Sequence, residues 1–388
     1  MKKDLSPEFL KGKRVAIVCD WLTNVGGAEK VLLEIHKLFP KAPIYTSKYD
    51  PKGIDWFSDA EVRTGWLQIF PTCLRRFLGP LRQIWFSRLD LSGYDLVISV
   101  TGAEAKAVHR LAPGGVHVSY CHVPTQYYWQ MYDDYVQNPG FGILSPIVRF
   151  CFKTLVRPLR SADFKAAQRV DQFVTISDYA KDLIAKYYKR EAEIVHPVVE
   201  VEDFLPCGKP VENFYVVSSR QVTWKRLDLA VAVCLKLKRE LVVIGEGPEH
   251  KNLVKLVEDY RDPRAAEMIK LVPLLKKQEL ADYLARAKGY LFPSLEPFGI
   301  APVEALAAGC PVIAFGEGGA KDYVKDGKNG VLFRKQTVKS LAEAILGFEE
   351  MKLSRKKVSE SAQGFSRERF DAELFEVVRG ALEQKNEK

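Results

Sequence analysis

No apolar run in this chain is long enough to cross a bilayer. Hydrophobic residues make up 47% of its 388 positions, yet the longest runs fall far short of the ~18 that a spanning helix needs. A secretion signal is also missing: the opening MKKDLSPEFLKGKR is charged and has no apolar core, so the cytoplasm is the expected compartment. The seven cysteines, Cys19, Cys73, Cys121, Cys151, Cys207, Cys234 and Cys310, show no C-x-x-C spacing and are odd in number. They read as reduced core thiols and not as a disulfide framework. With six histidines and no Cys/His cluster, no metal site is expected. No G-x-G-x-x-G follows a strand, which argues against a nicotinamide-dependent dehydrogenase. No nucleic-acid motif or basic low-complexity tail is found, so nucleic acid is not an expected partner.

What is present is unevenly spread. Residues 1–190 hold 27 Lys and Arg against 18 Asp and Glu, and the remainder is balanced, so the first half carries all of the net +9. A basic half suits an anionic membrane surface or a phosphorylated substrate. The length suits two domains, each able to bury its own core. Strand-like runs recur at Val15–Cys19, Ile44–Thr46, Leu96–Val100, Val116–Tyr120 and Gln172–Ile176, alternating with helical stretches, which predicts an α/β half. The proline-rich 195–210 reads as a linker. A second α/β half opens at Phe214–Ser218, continues at Leu241–Ile244, and carries the turn Gly245-Glu246-Gly247-Pro248.

The densest signal is GYLFPSLEPFGIAPVEALAAGCPVIAF, Gly289 to Phe315. Two buried-strand runs flank a helix with Pro302 in its first turn and Gly309 placed to end it in the left-handed conformation. Glu296 stands at the helix mouth and Glu304 inside it, while Phe298, Gly299 and Ile300 offer free amides where a diphosphate is stabilised. Carboxylates flanking an anion site suit the vicinal hydroxyls of a sugar nucleotide. Arg220 and Lys225 bracket a loop after the strand at 214–218, placed to face a leaving diphosphate. Gly316-Glu317-Gly318-Gly319 forms a further glycine turn. In the first half, Gly26 and Gly27 open a helix where amides can approach a phosphate, and His122 follows a strand's carboxyl end, where open α/β sheets place ligands. Two acid-free stretches, Trp66–Leu89 and Phe141–Arg160, mix aromatics with Arg75, Arg76, Arg82, Arg88, Arg149, Lys153, Arg157 and Arg160, a composition suited to an anionic membrane surface.

Glu-Pro-Phe-Gly, the seven residues between the two glutamates, and Glu-Ala-x-Ala-x-Gly-x-Pro-Val resemble the donor signature of the large retaining glycosyltransferase family 4, which has the GT-B fold. Tyr-Cys-His-x-Pro at 120–124, with Tyr127 and Trp129, is similar to its O-antigen mannosyltransferase branch. The resemblance implies an α/β chain of two Rossmann-like domains facing across a cleft. Residues 1–196 would bind acceptor, 197–365 would bind donor, and 366–388 would form a helix crossing back to the first domain. It implies a retaining, metal-independent hexosyltransferase without a cofactor, using GDP-mannose as donor and a lipid-linked or polysaccharide acceptor at the inner membrane face. A UDP-sugar with a soluble acceptor is the alternative. His122, Arg220, Lys225 and Glu296 would be catalytic. Gly26, Gly27, Phe298, Gly299, Ile300, Glu304, Glu317, Gly318 and Gly319 would bind the donor. The Asp-x-Asp metal motif of the other major transferase fold is absent; Asp133 and Asp134 are adjacent. Two departures stand out: Ser219 replaces the family's usual glycine, and Gln126 stands where the branch often has arginine.

Overall fold

The structure, a computed structural model, describes residues 8–72, 74, 78–137, 142, 145–206 and 208–387. The chain divides into two units, Met1–His196 with Phe370–Lys388, and Pro197–Arg369.

The first unit is built on a parallel sheet of Val15–Cys19 (β1), Ile44–Thr46 (β2), Val62–Arg63 (β3), Leu96–Thr101 (β4), Val116–Cys121 (β5), Gln172–Thr175 (β6) and Glu193–Ile194 (β7). They lie in the order β3-β2-β1-β4-β5-β6-β7. The central strands read VAIVC, LVISVT and VHVSYC because helices cover both faces, leaving no solvent side for polar alternation. The helices Gly27–Leu38 (α1), Gly79–Arg88 (α2), Tyr132–Gln137 (α3), Ser145–Gln168 (α4) and Asp178–Tyr188 (α5) belong to this unit. The second unit repeats the plan with Phe214–Ser218 (β8), Glu240–Ile244 (β9), Ile269–Val272 (β10), Gly289–Phe292 (β11), Val312–Phe315 (β12) and Gly330–Phe333 (β13), ordered β10-β9-β8-β11-β12-β13. Leu227–Leu237 (α6), His250–Glu258 (α7), Lys277–Arg286 (α8), Ile300–Ala307 (α9) and Val338–Glu349 (α10) pack around it. Leu229, Val233, Leu241, Val243, Leu291, Ile313, Leu341 and Ile345 form one buried cluster between its sheet and helices.

The last helix, Arg367–Asn386 (α11), follows the second unit in sequence but packs with the first from Phe370 onward. Phe370 lies 6.1 Å from the Tyr120 ring, Phe375 meets Phe39 edge-on at 5.9 Å, and Lys385 pairs with Asp171 at 2.7 Å.

Two expectations need correction. Cys19, Cys121, Cys234 and Cys310 are buried free thiols, but Cys151 is exposed, because its position on α4 faces away from the unit. Cys73 and Cys207 lie outside the described residues, as do Arg75 and Arg76. Arg82 is no surface cation: α2 turns it inward, where it pairs with Glu104 at 2.8 Å. Among the described residues no helix is long and apolar enough to cross a membrane.

Candidate active site

In the second sheet the strand order reverses between β8 and β11, and open α/β sheets bind ligands at the carboxyl side of such a switch point. Both strands deliver charge there. Beyond β8 the chain runs through Ser219, Arg220 and Gln221 into a 3-10 turn, Thr223–Lys225. Beyond β11 it runs through Ser294 and Glu296 to α9. Lys225 Nζ stands 2.5 Å from Glu296 Oε1, and Ser294 Oγ donates to the same oxygen at 2.8 Å. The sequence assigns Lys225 to a diphosphate and Glu296 to a sugar; the fold joins them as an ion pair, because Val216 and Tyr290 pair across adjacent strands. Their side chains are 17% and 13% exposed, so each remains within reach of a ligand. Lys225 Nζ also lies 4.7 Å over the Trp224 ring. Arg220 is exposed and makes no ion pair among the described residues.

The amides at the mouth of α9 are set by steric necessity. Gly299 caps the helix at φ +93°, and a Cβ there would lie 2.7 Å from Phe292 Cζ. Phe298 is buried, its ring 5.5 Å from that of Tyr323, whose hydroxyl donates to the Phe298 carbonyl at 2.8 Å. Its side chain therefore anchors the turn, while Ile300 begins the helix. Glu304 is buried in the helix's second turn. Gly309 takes φ +72° and closes α9 in the left-handed conformation its position predicts. The other glycine turn lies directly on Glu296: Gly319 N donates to the Glu296 carbonyl at 2.8 Å. A Cβ at Gly318, where φ is +76°, would approach that carbonyl to 2.4 Å. Glu317 is exposed on this turn.

Sequence reasoning missed Ser294 and Gln221. Gln221 is buried and donates from Nε2 to the Gly245 carbonyl at 2.6 Å; its Oε1 is 2.9 Å from His250 Nδ1. It ties the turn after β9 to the loop carrying Arg220 and Lys225. A polar side chain in a loop reads as solvated until a neighbouring strand is placed beside it.

The first unit places His122 just beyond β5, with its ring 5.6 Å from Tyr120. Its Nε2 is buried without a hydrogen-bond partner among the described residues, and burial pushes its pKa down to about 4, so the imidazole is neutral at pH 7. Gly26 caps α1, and a Cβ there would lie 2.7 Å from Glu29 Oε2. A carboxylate thus sits at the helix mouth that Gly26 and Gly27 offer to a phosphate, and it competes with an incoming anion.

Beneath the same strand ends runs a polar network unseen in the sequence. Asp20, following β1, accepts from the amides of Gly102, Ala103 and Ala105 at 2.9, 3.0 and 2.8 Å. Burial, with Glu104 nearby, nonetheless raises its pKa. Glu104 accepts from Arg82, Tyr127 and Tyr128. Lys106 pairs with Asp163 at 2.6 Å, and Asp163 accepts from Trp129 Nε1 and the Tyr188 hydroxyl at 2.7 and 2.8 Å. Burial opposes the charge on Lys106, but Asp163 outweighs it and holds the ammonium above its usual range. Tyr127 and Trp129 are thus fixed into this network by hydrogen bonds. Among the described residues no group of His, Cys, Asp and Glu could hold a metal.

With this geometry in hand, the chain can be set beside known proteins. Residues 208–365 match the family model of the group 1 glycosyl transferases. An uncharacterized glycosyltransferase, MJ1178 of Methanocaldococcus jannaschii, is 27% identical over 203 residues, 52% of this chain and 56% of the relative. The match thus spans about half of that protein's length. The alpha-1,3/1,6-mannosyltransferase alg2 of Schizosaccharomyces pombe is 24% identical over 367 residues, covering 80% of this chain and 68% of alg2. Among solved structures, Anabaena Alr3699/HepE in complex with UDP superposes with a TM-score of 0.70 at 17% identity, covering 95% of this chain and 100% of that one. The fold is the GT-B architecture, an α/β chain of two Rossmann-like domains.

Proposed function

We propose that the protein is a retaining, metal-independent hexosyltransferase that moves mannose from GDP-mannose onto a lipid-linked or polysaccharide acceptor in cell-surface glycan synthesis. The observation that carries this reading is the constellation at the switch point: a partly open Lys225–Glu296 pair, exposed Arg220 on the loop that carries Lys225, and a glycine turn laid on the Glu296 backbone. The match to group 1 glycosyl transferases falls on the unit that holds it, and the similarity to alg2 supports mannose.

On this reading the donor diphosphate draws Lys225 off Glu296 and meets Arg220, so that two cations face the charge that grows on the leaving group. Freed from Lys225, Glu296 accepts from hexose hydroxyls, while Glu304 accepts from the ribose. The amides of Phe298, Gly299 and Ile300 and the turn Glu317-Gly318-Gly319 line the phosphates and sugar. The acceptor oxygen attacks from the face the diphosphate leaves, giving its proton to the departing phosphate, and the anomeric configuration is kept. His122, neutral, receives the acceptor or the transferred sugar through a hydrogen bond.

A thermal-shift comparison of GDP-mannose, UDP-glucose, UDP-N-acetylglucosamine and ADP-glucose tests the donor. The largest rise is expected with GDP-mannose, and a shift confined to a UDP-sugar would remove the mannose assignment. The anomeric coupling of the product by NMR tests retention, and turnover in the presence of a chelator tests metal independence.

A further inference from the structure

Helix α4 carries apolar residues on two faces, although packing uses only one. Val156, Asp163, Ala166 and Ala167 are buried against the first unit, and the Phe152 ring lies 5.6 Å from Tyr132 of α3. At about 100° per residue, Ile147, Phe150 and Cys151 fall on the opposite side, with Leu155 beside them. Ile147 is 63% exposed, Phe150 71% and Leu155 46%. A helix packed on a protein core and otherwise in water turns polar side chains outward; here the first turns put Ile147 and Phe150 outward around Thr154, with Leu155 on the flank.

The charge around this ridge has one sign. From Tyr135 to Ala162 the sequence contains no Asp or Glu. Lys153 and Arg157, one turn apart along the flank of the ridge, are exposed, and neither forms an ion pair among the described residues. The other two cations between Ser145 and Arg160 are committed elsewhere. Arg149 donates to the carbonyls of Val136 and Gln137 at 2.8 and 3.0 Å, closing the last turn of α3. Arg160 donates to the Tyr128 carbonyl and lies 4.6 Å over the Tyr132 ring. Lys153 and Arg157 are thus held beside exposed apolar side chains with no ion-pair partner among the described residues.

We propose that the outward face of the first four turns of α4 docks on an anionic lipid bilayer. Ile147, Phe150 and Leu155 enter the interface, and Lys153 and Arg157 meet lipid phosphates. Charge decides against the face pairing with a second copy of itself. A two-fold contact would bring the cations of both copies to a surface that offers no carboxylate to pair with them. The proposal does not depend on the donor assignment, because docking is read without turnover.

The full chain is sedimented with vesicles of phosphatidylglycerol and phosphatidylcholine, and separately with phosphatidylcholine alone. Binding is expected only to the anionic vesicles and is weakened by salt. Replacing Lys153→Gln and Arg157→Gln together should lower partitioning about tenfold or more, each cation near the surface contributing about fivefold. Ile147→Ser with Phe150→Ser should abolish it. These side chains are exposed, so the variants should keep the parent's circular dichroism and Tm. In a Cys73→Ser, Cys207→Ser background, a polarity-sensitive dye on Cys151 should shift to the blue with anionic vesicles alone. The proposal is overturned if the variants sediment like the parent, if the chain ignores both vesicle types, or if the dye does not shift. A concentration-dependent dimer lost in the Ile147/Phe150 variant, without vesicle binding, would assign the face to self-association instead.

Discussion

Two sheets of the same handed plan bring charged side chains to their carboxyl ends and treat them in opposite ways. In the first unit Arg82–Glu104 and Lys106–Asp163 are sealed from solvent and roofed by Tyr127, Tyr128, Trp129 and Tyr188. In the second, Lys225–Glu296 is partly open and Arg220 is exposed. A sealed ion pair has lost its hydration and is tolerated only while each member keeps its partner. A pair that keeps part of its surface in water, as Lys225 and Glu296 do at 17% and 13% exposure, exchanges partners at lower cost than a sealed one. The difference separates charges that hold the backbone in place from charges available to a ligand.

The comparison is tested most severely by Asp163→Ala, which strands the Lys106 ammonium. A loss of about 3–5 kcal/mol in urea unfolding is expected, and a loss within ~0.5 kcal/mol would place the sealed pair in the same class as the open one. Next come Arg220→Ala and Lys225→Ala. Each should remove about 2–4 kcal/mol of transition-state stabilisation, ~30- to 1000-fold in rate, with Tm near that of the parent. Normal rates in both would show that the open cations do not serve the reaction.

The amino end of the second sheet offers an intermediate case. Glu349 accepts from Arg239, Lys288 and the Tyr215 hydroxyl at 2.8, 3.0 and 3.0 Å. The Arg239 hydrogen bond foremost, opposed by some burial and joined by Lys288 and Tyr215, lowers its pKa to about 2. The native state therefore binds fewer protons than the unfolded chain as pH falls from about 4.5 to 2. The stabilisation is complete above that window and is lost on crossing it downward. Glu349→Gln should cost about 2 kcal/mol at pH 7 and flatten the acid limb of the stability curve, read by chemical denaturation at several pH values. The smallest effect is expected from Ser294→Ala, about 1 kcal/mol. It should raise the donor KM with little change in Tm, since Ser294 acts by orienting Glu296.

Legibility in the sequence followed burial. The central strands, from VAIVC to FYVVS and VIAF, are continuous apolar runs and could be read within a residue or two of their observed bounds. Pro302 and Gly309 announced α9 through backbone constraints that act locally. The edge strands Val62–Arg63, Glu193–Ile194 and Ile269–Val272 escaped, because a short strand covered on one side need not be apolar throughout. Gly330–Phe333, the remaining edge strand, escaped as well, although it is largely buried, because four residues after a lysine-rich turn give little periodicity. In the site, the charged residues were legible and their pairing was not: Lys225 meets Glu296 only once β8 and β11 are neighbours. Glu104 and Lys106, within TGAEAKA, carry no local sign of burial, since their partners Arg82 and Asp163 come from distant helices. The acid-free stretches were visible as composition, but only the hydrogen bonds of Arg149 and Arg160 show which cations remain for a surface.

The placement of α11 bears on how the chain is made. Residues up to His196 emerge from the ribosome first, but the segment that completes their unit begins at Phe370, roughly 170 residues later. At ordinary synthesis rates that interval is on the order of 10 to 30 s. Throughout it, the surface that receives Phe370 and Phe375, including Tyr120 and Phe39, lacks the cover those two rings supply. The unit translated first is therefore the last to be finished. Its exposure to aggregation or to chaperone capture is set by the translation time of the other unit.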